Sequence, residues 1–278
     1  MDPLTLPARS WLFVPATRAD RFAKAAASGA DRIIIDLEDA VATDAKDEAR
    51  ESLVGAALPA SVPMYLRVNS ASTPWFERDL AVASKLGITG ILLPKADAPD
   101  DVARAAARLP SAFFVVPIVE TAAGVWNVLP VAQAPRVERV VFGALDFQLD
   151  TGIYDEGGAY DFVRSRVSVA SRVAKIGAPI DSVCLSIGDD AVIAADANRG
   201  RRFGCCGKLC IHPNQVRISN GVFRPTNQEI EWARSILAER ARRPGDAVFS
   251  HRGALVDRPV IERASQISAM ADRLSGSA

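Results

Sequence analysis

Short apolar runs rich in β-branched and aromatic residues alternate with longer amphipathic stretches along most of this chain. The short runs 10–14, 31–36, 64–68, 90–93, 113–119, 137–142, 179–185 and 208–211 read as strands, because they are compact, apolar and bounded by turn residues. Between them, positions 18–28, 45–58, 75–86, 100–109, 122–133, 160–176 and 189–203 carry helical periodicity, and a further helix begins at Pro213. A longer loop, 150–158, precedes the 160–176 helix. Eight strands alternating with helices call for a parallel sheet closed on itself, an α/β fold of the (β/α)8 TIM-barrel type. Beyond it, 226–243 reads as an amphipathic helix opened by a capping box, Thr226 with Glu229. Short strands or a loop follow at 248–256, then a last helix at 259–274. The expected organisation is a barrel domain over 1–224 and a C-terminal helix-and-lid extension over 225–278.

Polar side chains sit where these apolar strands run out. They are Asp36, Arg67, Lys95, Glu120, Asp146 and His212. A strand buried on both faces cannot hold an unpaired charge, since desolvation costs several kcal/mol. Its end can, if that end opens on solvent. Six such ends suggest a common site at the C-terminal mouth of the barrel.

The 278 residues, 49% of them hydrophobic, fit one large domain with a short extension. Lys+Arg and Asp+Glu both total 33, so the formal net charge is zero. That balance gives no reason to expect nucleic acid or a membrane surface as a partner. The N-terminus lacks a basic and apolar leader pattern, and no run approaches a membrane span, so a soluble cytoplasmic protein is expected. The cysteines are Cys184, Cys205, Cys206 and Cys210, with no Cys-x-x-Cys spacing, which reads as reduced thiols rather than a zinc site. Two histidines, His212 and His251, leave few ways to build a nucleophilic triad. Nucleotide-binding glycine loops are absent from the sequence.

Glu120 and Asp146 follow neighbouring strands. Two carboxylates side by side repel unless a cation holds them, and with no soft ligand at a matching place Mg²⁺ is the expected ion. The alternative is that each acid caps a helix or pairs with an arginine. Arg67 is the natural anion clamp, its planar fork suited to a carboxylate or an enolate. It could equally form a structural salt bridge to Asp36 or Glu38. Asp36 is expected to face the site, with Glu38 or Asp39 orienting Arg67 or a metal-bound water. Nothing near Lys95 argues for the lowered pKa that a Schiff base needs, and His212 before Pro213 reads as a cap.

Arg9-Ser-Trp-Leu-Phe-Val-Pro, Asp36-Leu-Glu-Asp-Ala-Val with Lys46-x-x-Ala-Arg, Arg67-Val-Asn, Leu93-Pro-Lys, Ile118-Val-Glu-Thr, Gly143-Ala-Leu-Asp, Gly207-Lys-x-Cys-Ile-His-Pro-x-Gln-Val and Gly253-Ala-Leu-Val-Asp-x-Pro occur in this order. Together they resemble the citrate lyase β-subunit / malyl-CoA lyase family of the larger HpcH/HpaI aldolase group, over nearly the whole chain. The resemblance implies a Mg²⁺-dependent carbon–carbon lyase. Such an enzyme cleaves a β-hydroxyacyl thioester of CoA or an acyl carrier, such as citryl-, malyl- or citramalyl-CoA, to acetyl-CoA and a 2-oxo acid. It further implies Glu120 and Asp146 as metal ligands, Arg67 on the thioester carbonyl as it becomes an enolate, and Asp257 as an acid/base reaching a neighbouring subunit's site in a homo-oligomer, most simply a trimer. Arg18, Arg21 and Lys24 could meet CoA phosphates or form a solvated helix face. The chain departs from the family pattern at Ala16, where relatives often carry Gly, and at Leu145, where many carry an acid. Two rivals stand beside this reading: a class II-type aldolase acting on free 4-hydroxy-2-oxo acids, and a non-catalytic barrel subunit.

Overall fold

The computed structural model describes residues 8–155 and 157–275. The chain divides into two compact units, Met1–Phe223 and Arg224–Ala278. In the first, eight parallel strands close into a barrel in sequence order: β1 (Ser10–Pro15), β2 (Arg32–Asp36), β3 (Met64–Arg67), β4 (Gly90–Leu93), β5 (Phe114–Val119), β6 (Val141–Phe142), β7 (Ile180–Asp181) and β8 (Gly207–Cys210). The closing pair is β1 with β8. Side chains alternate between the two faces of a strand, so each strand splits its residues between two cores. Trp11, Ile34, Tyr65, Leu92, Val116, Ile118, Val141, Ile180 and Leu209 fill the barrel interior. Ile33, Ile35, Leu66, Ile91 and Val115 belong to the separate layer beneath the surrounding helices.

This parity decides what the mouth presents. Two residues beyond Ile34 the inner face reaches Asp36, two beyond Tyr65 it reaches Arg67, and two beyond Ile118 it reaches Glu120. Asp36 and Arg67 are direct partners in the β2–β3 register. The site residues are therefore the last inward positions of strands whose preceding inward positions are apolar.

Several expected elements differ; the sixth strand, expected over 137–142, is only Val141–Phe142. The seventh strand ends at Asp181 instead of running to 185. Beyond it, side chains meet the backbone in place of a ladder: Lys208 Nζ donates to Ser182 O at 2.5 Å, and Gln215 Nε2 to Cys184 O at 2.7 Å. The helix expected over 122–133 is two short ones, Ala122–Trp126 and Val128–Ala132. Pro130 has no N–H for the carbonyl of Trp126 and its ring crowds that carbonyl. Arg166 satisfies the exposed end instead, donating from Nε to Val125 O and from Nη2 to Trp126 O. Finally, 144–151 is helical, Ala144–Thr151, where a strand end and loop were expected, and it stops at Gly152 in the left-handed region. Asp146 thus lies in the first turn of a helix rather than at the tip of β6, where a carboxylate complements the helix dipole.

The second unit contains helices Asn227–Arg242 and Arg258–Ser275 and an antiparallel hairpin, Phe249–His251 with Ala254–Val256. Arg252 and Gly253 connect its strands, both at positive φ, as a two-residue hairpin loop matched to strand twist requires. Ala233, Ile236, Phe249, Val256 and Ala264 form its core. Among the described residues, no helix is long and apolar enough to cross a membrane.

Gly90 marks a close approach between β4 and β5. A Cβ there would lie 2.3 Å from the carbonyl oxygen of Phe114, with two more backbone atoms of Phe114 within 2.9 Å. Backbone in a closed barrel cannot give way. Gly90→Ala is expected to destabilise the protein by ~2–4 kcal/mol, measured as a lowered urea midpoint. An unchanged midpoint would show that β4 and β5 can spread.

Candidate active site

The Asp36–Arg67 pair organises the mouth. Arg67 donates from Nε to Asp36 Oδ1 at 2.7 Å and from Nη2 to Asp36 Oδ2 at 2.6 Å. Asp36 also accepts from the backbone N–H of Glu38 at 2.9 Å and of Ala40 at 3.2 Å. Arg67 Nη1 lies 3.0 Å from Glu38 Oε2 and 3.1 Å from Asp39 Oδ2, and the guanidinium sits over Phe13. Despite its burial these acids push the Arg67 pKa up, so its charge is permanent. The fork expected to grasp an anion at two points is thus committed to Asp36. Nη1 remains the edge shared with Glu38 and Asp39.

The loop carrying Glu38 is fixed from beneath. Buried Lys46 donates to Leu37 O at 2.8 Å and Glu38 O at 2.9 Å. Asn69 donates to Leu37 O, and Asp79 accepts from both the backbone and side-chain amides of Asn69. Arg50 Nη1 closes the chain of contacts on Asp79 at 2.7 Å. Asn69, quoted above only within the Arg67-Val-Asn motif and given no role, and Asp79, not named there, are supporting residues. Their signal was an Asn two residues past a strand-end Arg and an Asp inside an amphipathic helix, which is too common a pattern to read alone.

Glu120, 3% exposed, follows β5. Its Oε1 accepts the backbone N–H of Lys95 at 2.8 Å. Lys95 Nζ lies 2.9 Å from Glu38 Oε1, 3.2 Å from Asp146 Oδ1 and 3.9 Å from Glu120 Oε1. Burial first, then the charges of Asp146 and Glu38, push the Glu120 carboxyl up to about 8. Burial also raises the Glu38 carboxyl, against the pull of Arg67. Glu120 is accommodated by Gly143, where a Cβ would come within 2.4 Å of Oε2.

Asp36, Arg67, Glu120 and Asp146 line one cavity of about 400 Å³, with Phe13 and Leu145 among its apolar walls. Of the six strand-end residues, five meet here through contacts or shared walls. His212 does not; its Nδ1 accepts from Asn214 N–H and caps the following helix. Arg18 pairs with Asp20 through two hydrogen bonds of 2.9 and 2.8 Å, and Arg21 and Lys24 are exposed on the first helical segments. Asp257 accepts from the Val260 N–H at 3.3 Å, capping the last helix within its own unit. The four cysteines are free thiols, and Cys184, Cys205 and Cys210 are buried.

The donor set suits a hard cation. Glu120 and Asp146 offer carboxylate oxygens without sulfur or imidazole. Gly143 leaves room beside Glu120, and Glu38 Oε2 is buried without a hydrogen bond although Arg67 is near. Among the described residues no group of three or more His, Cys, Asp or Glu has metal-holding geometry. Two carboxylates with the other positions left to water and substrate oxygens is how Mg²⁺ is usually held.

A barrel with carboxylates, a fixed arginine and a cavity at the C-terminal strand ends defines a barrel-enzyme type of site. The HpcH/HpaI aldolase/citrate lyase family model matches residues 9–213, and the chain belongs to that family. A citrate lyase subunit beta-like protein of Deinococcus radiodurans is 37% identical over 92% of this chain and 94% of its own length. An L-malyl-CoA/beta-methylmalyl-CoA lyase of Cereibacter sphaeroides is 31% identical, covering 98% of this chain and 97% of the relative. The crystal structure of CitE from Mycobacterium tuberculosis in complex with magnesium, acetoacetate and coenzyme A superposes with a TM-score of 0.85 at 31% identity, over 97% of this chain and 99% of that one.

The raised Glu120 carboxyl has a consequence for stability. The native protein keeps a proton that the unfolded chain has released above about 4.5, so metal-free stability should fall as pH rises from about 4.5 to about 8. Glu120→Gln, neutral throughout, should flatten that decline; Glu38, also raised by burial, leaves a slope of the same sign. Urea denaturation in EDTA across this range measures it, and an unaltered slope in the variant would mean that Glu120 is ionised in the native state.

Proposed function

We propose that this chain is a Mg²⁺-dependent carbon–carbon lyase that cleaves a β-hydroxyacyl thioester of CoA, or of an acyl carrier, to acetyl thioester and a 2-oxo acid. The observation that carries the reading is the convergence of a fixed arginine with Glu120 and Asp146 on one cavity. The kinship with a malyl-CoA lyase and with a CitE crystallised with magnesium and coenzyme A supports it.

In this reaction the bond between the carbinol carbon and the thioester α-carbon breaks. The carbinol loses its hydroxyl proton and becomes the carbonyl of the 2-oxo acid. The bonding electron pair passes to the thioester α-carbon as an enolate, which then takes a proton. Glu120 and Asp146 would hold Mg²⁺, which when bound supplies a Lewis acid for the hydroxy-acid oxygens. Arg67 places a permanent positive charge for the enolate oxygen, and Asp36 keeps it from turning away, so little reorganisation is needed during reaction. Asp36 is on this reading a positioning residue, and Glu38 helps to align Arg67. Arg18, Arg21 and Lys24 would meet the CoA phosphates, which requires Arg18 to exchange Asp20 for its ligand. Asp257 would exchange the proton in the site of a neighbouring copy, in a homotrimer.

Arg67→Lys is expected to fold normally and to lower kcat on citramalyl-, malyl- or citryl-CoA by roughly 10²–10³. Lysine keeps the charge but loses the fork that Asp36 holds. Wild-type kcat in the variant would make Arg67 structural, and turnover of free 4-hydroxy-2-oxo acids without any thioester would favour the aldolase alternative. The shared site has its own test. Mixing inactive Asp257→Ala with inactive Glu120→Ala subunits should restore activity in exchanged oligomers that hold one intact site. No recovery after verified exchange would place Asp257 outside the chemistry.

A further inference from the structure

Lys95 stands in a position that the reaction above leaves unexplained. It is one of four described non-glycine residues at positive φ, at 49°. A lysine held in the left-handed region is strained, and such strain persists where the surroundings impose it, commonly at functional sites. Here the surroundings are visible. The Lys95 N–H donates to Glu120 Oε1, while its ammonium reaches Glu38 Oε1 at 2.9 Å and Asp146 Oδ1 at 3.2 Å. One residue therefore touches Glu120 from its backbone and three acids from its tip, counting Glu120 Oε1 at 3.9 Å.

The charge balance explains why a cation is needed there. Asp36, Glu38, Asp39, Glu120 and Asp146 crowd one rim, and the cations in ion-pair contact with them are Arg67 and Lys95. Arg67 is committed to Asp36, Glu38 and Asp39. Glu120 and Asp146 have Lys95 alone among these ion pairs. The Lys95 side chain is 35% exposed, against 4% for Glu120 and 12% for Arg67. It alone of the three keeps a route out of the cluster on a flexible stem.

We propose that Lys95 is an internal stand-in for the divalent cation, its ammonium pairing Glu120, Asp146 and Glu38 in the metal-free protein and giving way when the metal binds. This rests on the reading of Glu120 and Asp146 as the metal ligands and adds the residue that competes for them. An ammonium left between the ligands repels an incoming dication at close range. Binding therefore includes breaking the lysine contacts, which holds affinity below what the carboxylates alone would give. In exchange the acids remain assembled while the site waits for metal.

The test is Lys95→Met, which keeps length and the backbone strain and removes the charge, with Lys95→Arg as the conservative control. Mg²⁺ binding is measured by titration calorimetry, and thermal melting is recorded in EDTA. Lys95→Met should bind Mg²⁺ roughly tenfold more tightly or better and melt lower without metal. Lys95→Arg should restore the metal-free melting temperature. Equal or weaker Mg²⁺ binding by Lys95→Met, with the wild type binding normally, overturns the stand-in role. If instead the wild type binds no Mg²⁺, or Asp146→Ala binds it undiminished, the ligand assignment itself falls and takes the proposal with it.

Discussion

The bidentate pairing of Arg67 with Asp36 is the contact on which the mouth of this barrel depends. It joins two neighbouring strands at their last inward residues, and its geometry follows from register: Asp36 and Arg67 stand opposite one another. Such a pair in a desolvated setting is costly unless every donor and acceptor is met. Here the backbone amides of Glu38 and Ala40 complete Asp36, and Glu38 and Asp39 complete Arg67. Removing either partner would leave an uncompensated charge above an apolar barrel core. The pair is thus both a structural clasp and the source of a positive charge that cannot wander.

Around this clasp the charges are layered. Lys46, Asn69, Asp79 and Arg50 hold the backbone of the loop after β2, so that Glu38 is presented rather than mobile. Opposite it, Glu120 and Asp146 are close enough for the Asp146 charge to help raise the Glu120 carboxyl. Negative charge therefore exceeds positive charge at the rim beside Lys95. An excess of that kind suits a divalent cation, and it accounts for a lysine drawn into the gap in its strained conformation.

Much of this was legible in the sequence. The eight apolar runs pointed to a closed barrel, because alternating short strands and helices call for a helix-covered parallel sheet and eight such units suit a (β/α)8 closure. The polar residues at their ends gave Asp36, Arg67, Glu120 and Asp146, because burial forbids charges further down the strands. The family that the motifs resemble is the one whose model matches residues 9–213. Local elements were less legible. The helix Ala144–Thr151 follows an apolar run without a break in composition, so its first turn passed for the end of a strand. The end of β7 was not legible because Lys208 and Gln215, distant in sequence, bond the carbonyls of Ser182 and Cys184 just beyond it.

The sequence by itself therefore determined that Asp36, Arg67 and Glu120 point to the mouth, since period-two alternation along a strand is a local property. It could not determine how those residues pair. Arg67 was open to a substrate role or a salt bridge until β2 and β3 came into register, after which Asp36 occupied its fork. Lys95 was one more strand-end lysine until a backbone at positive φ turned its ammonium toward three acids from other segments. Pairing and local charge balance depend on distances of a few ångströms between segments far apart in the chain, and Coulomb energies at such distances are fixed only once the barrel has closed.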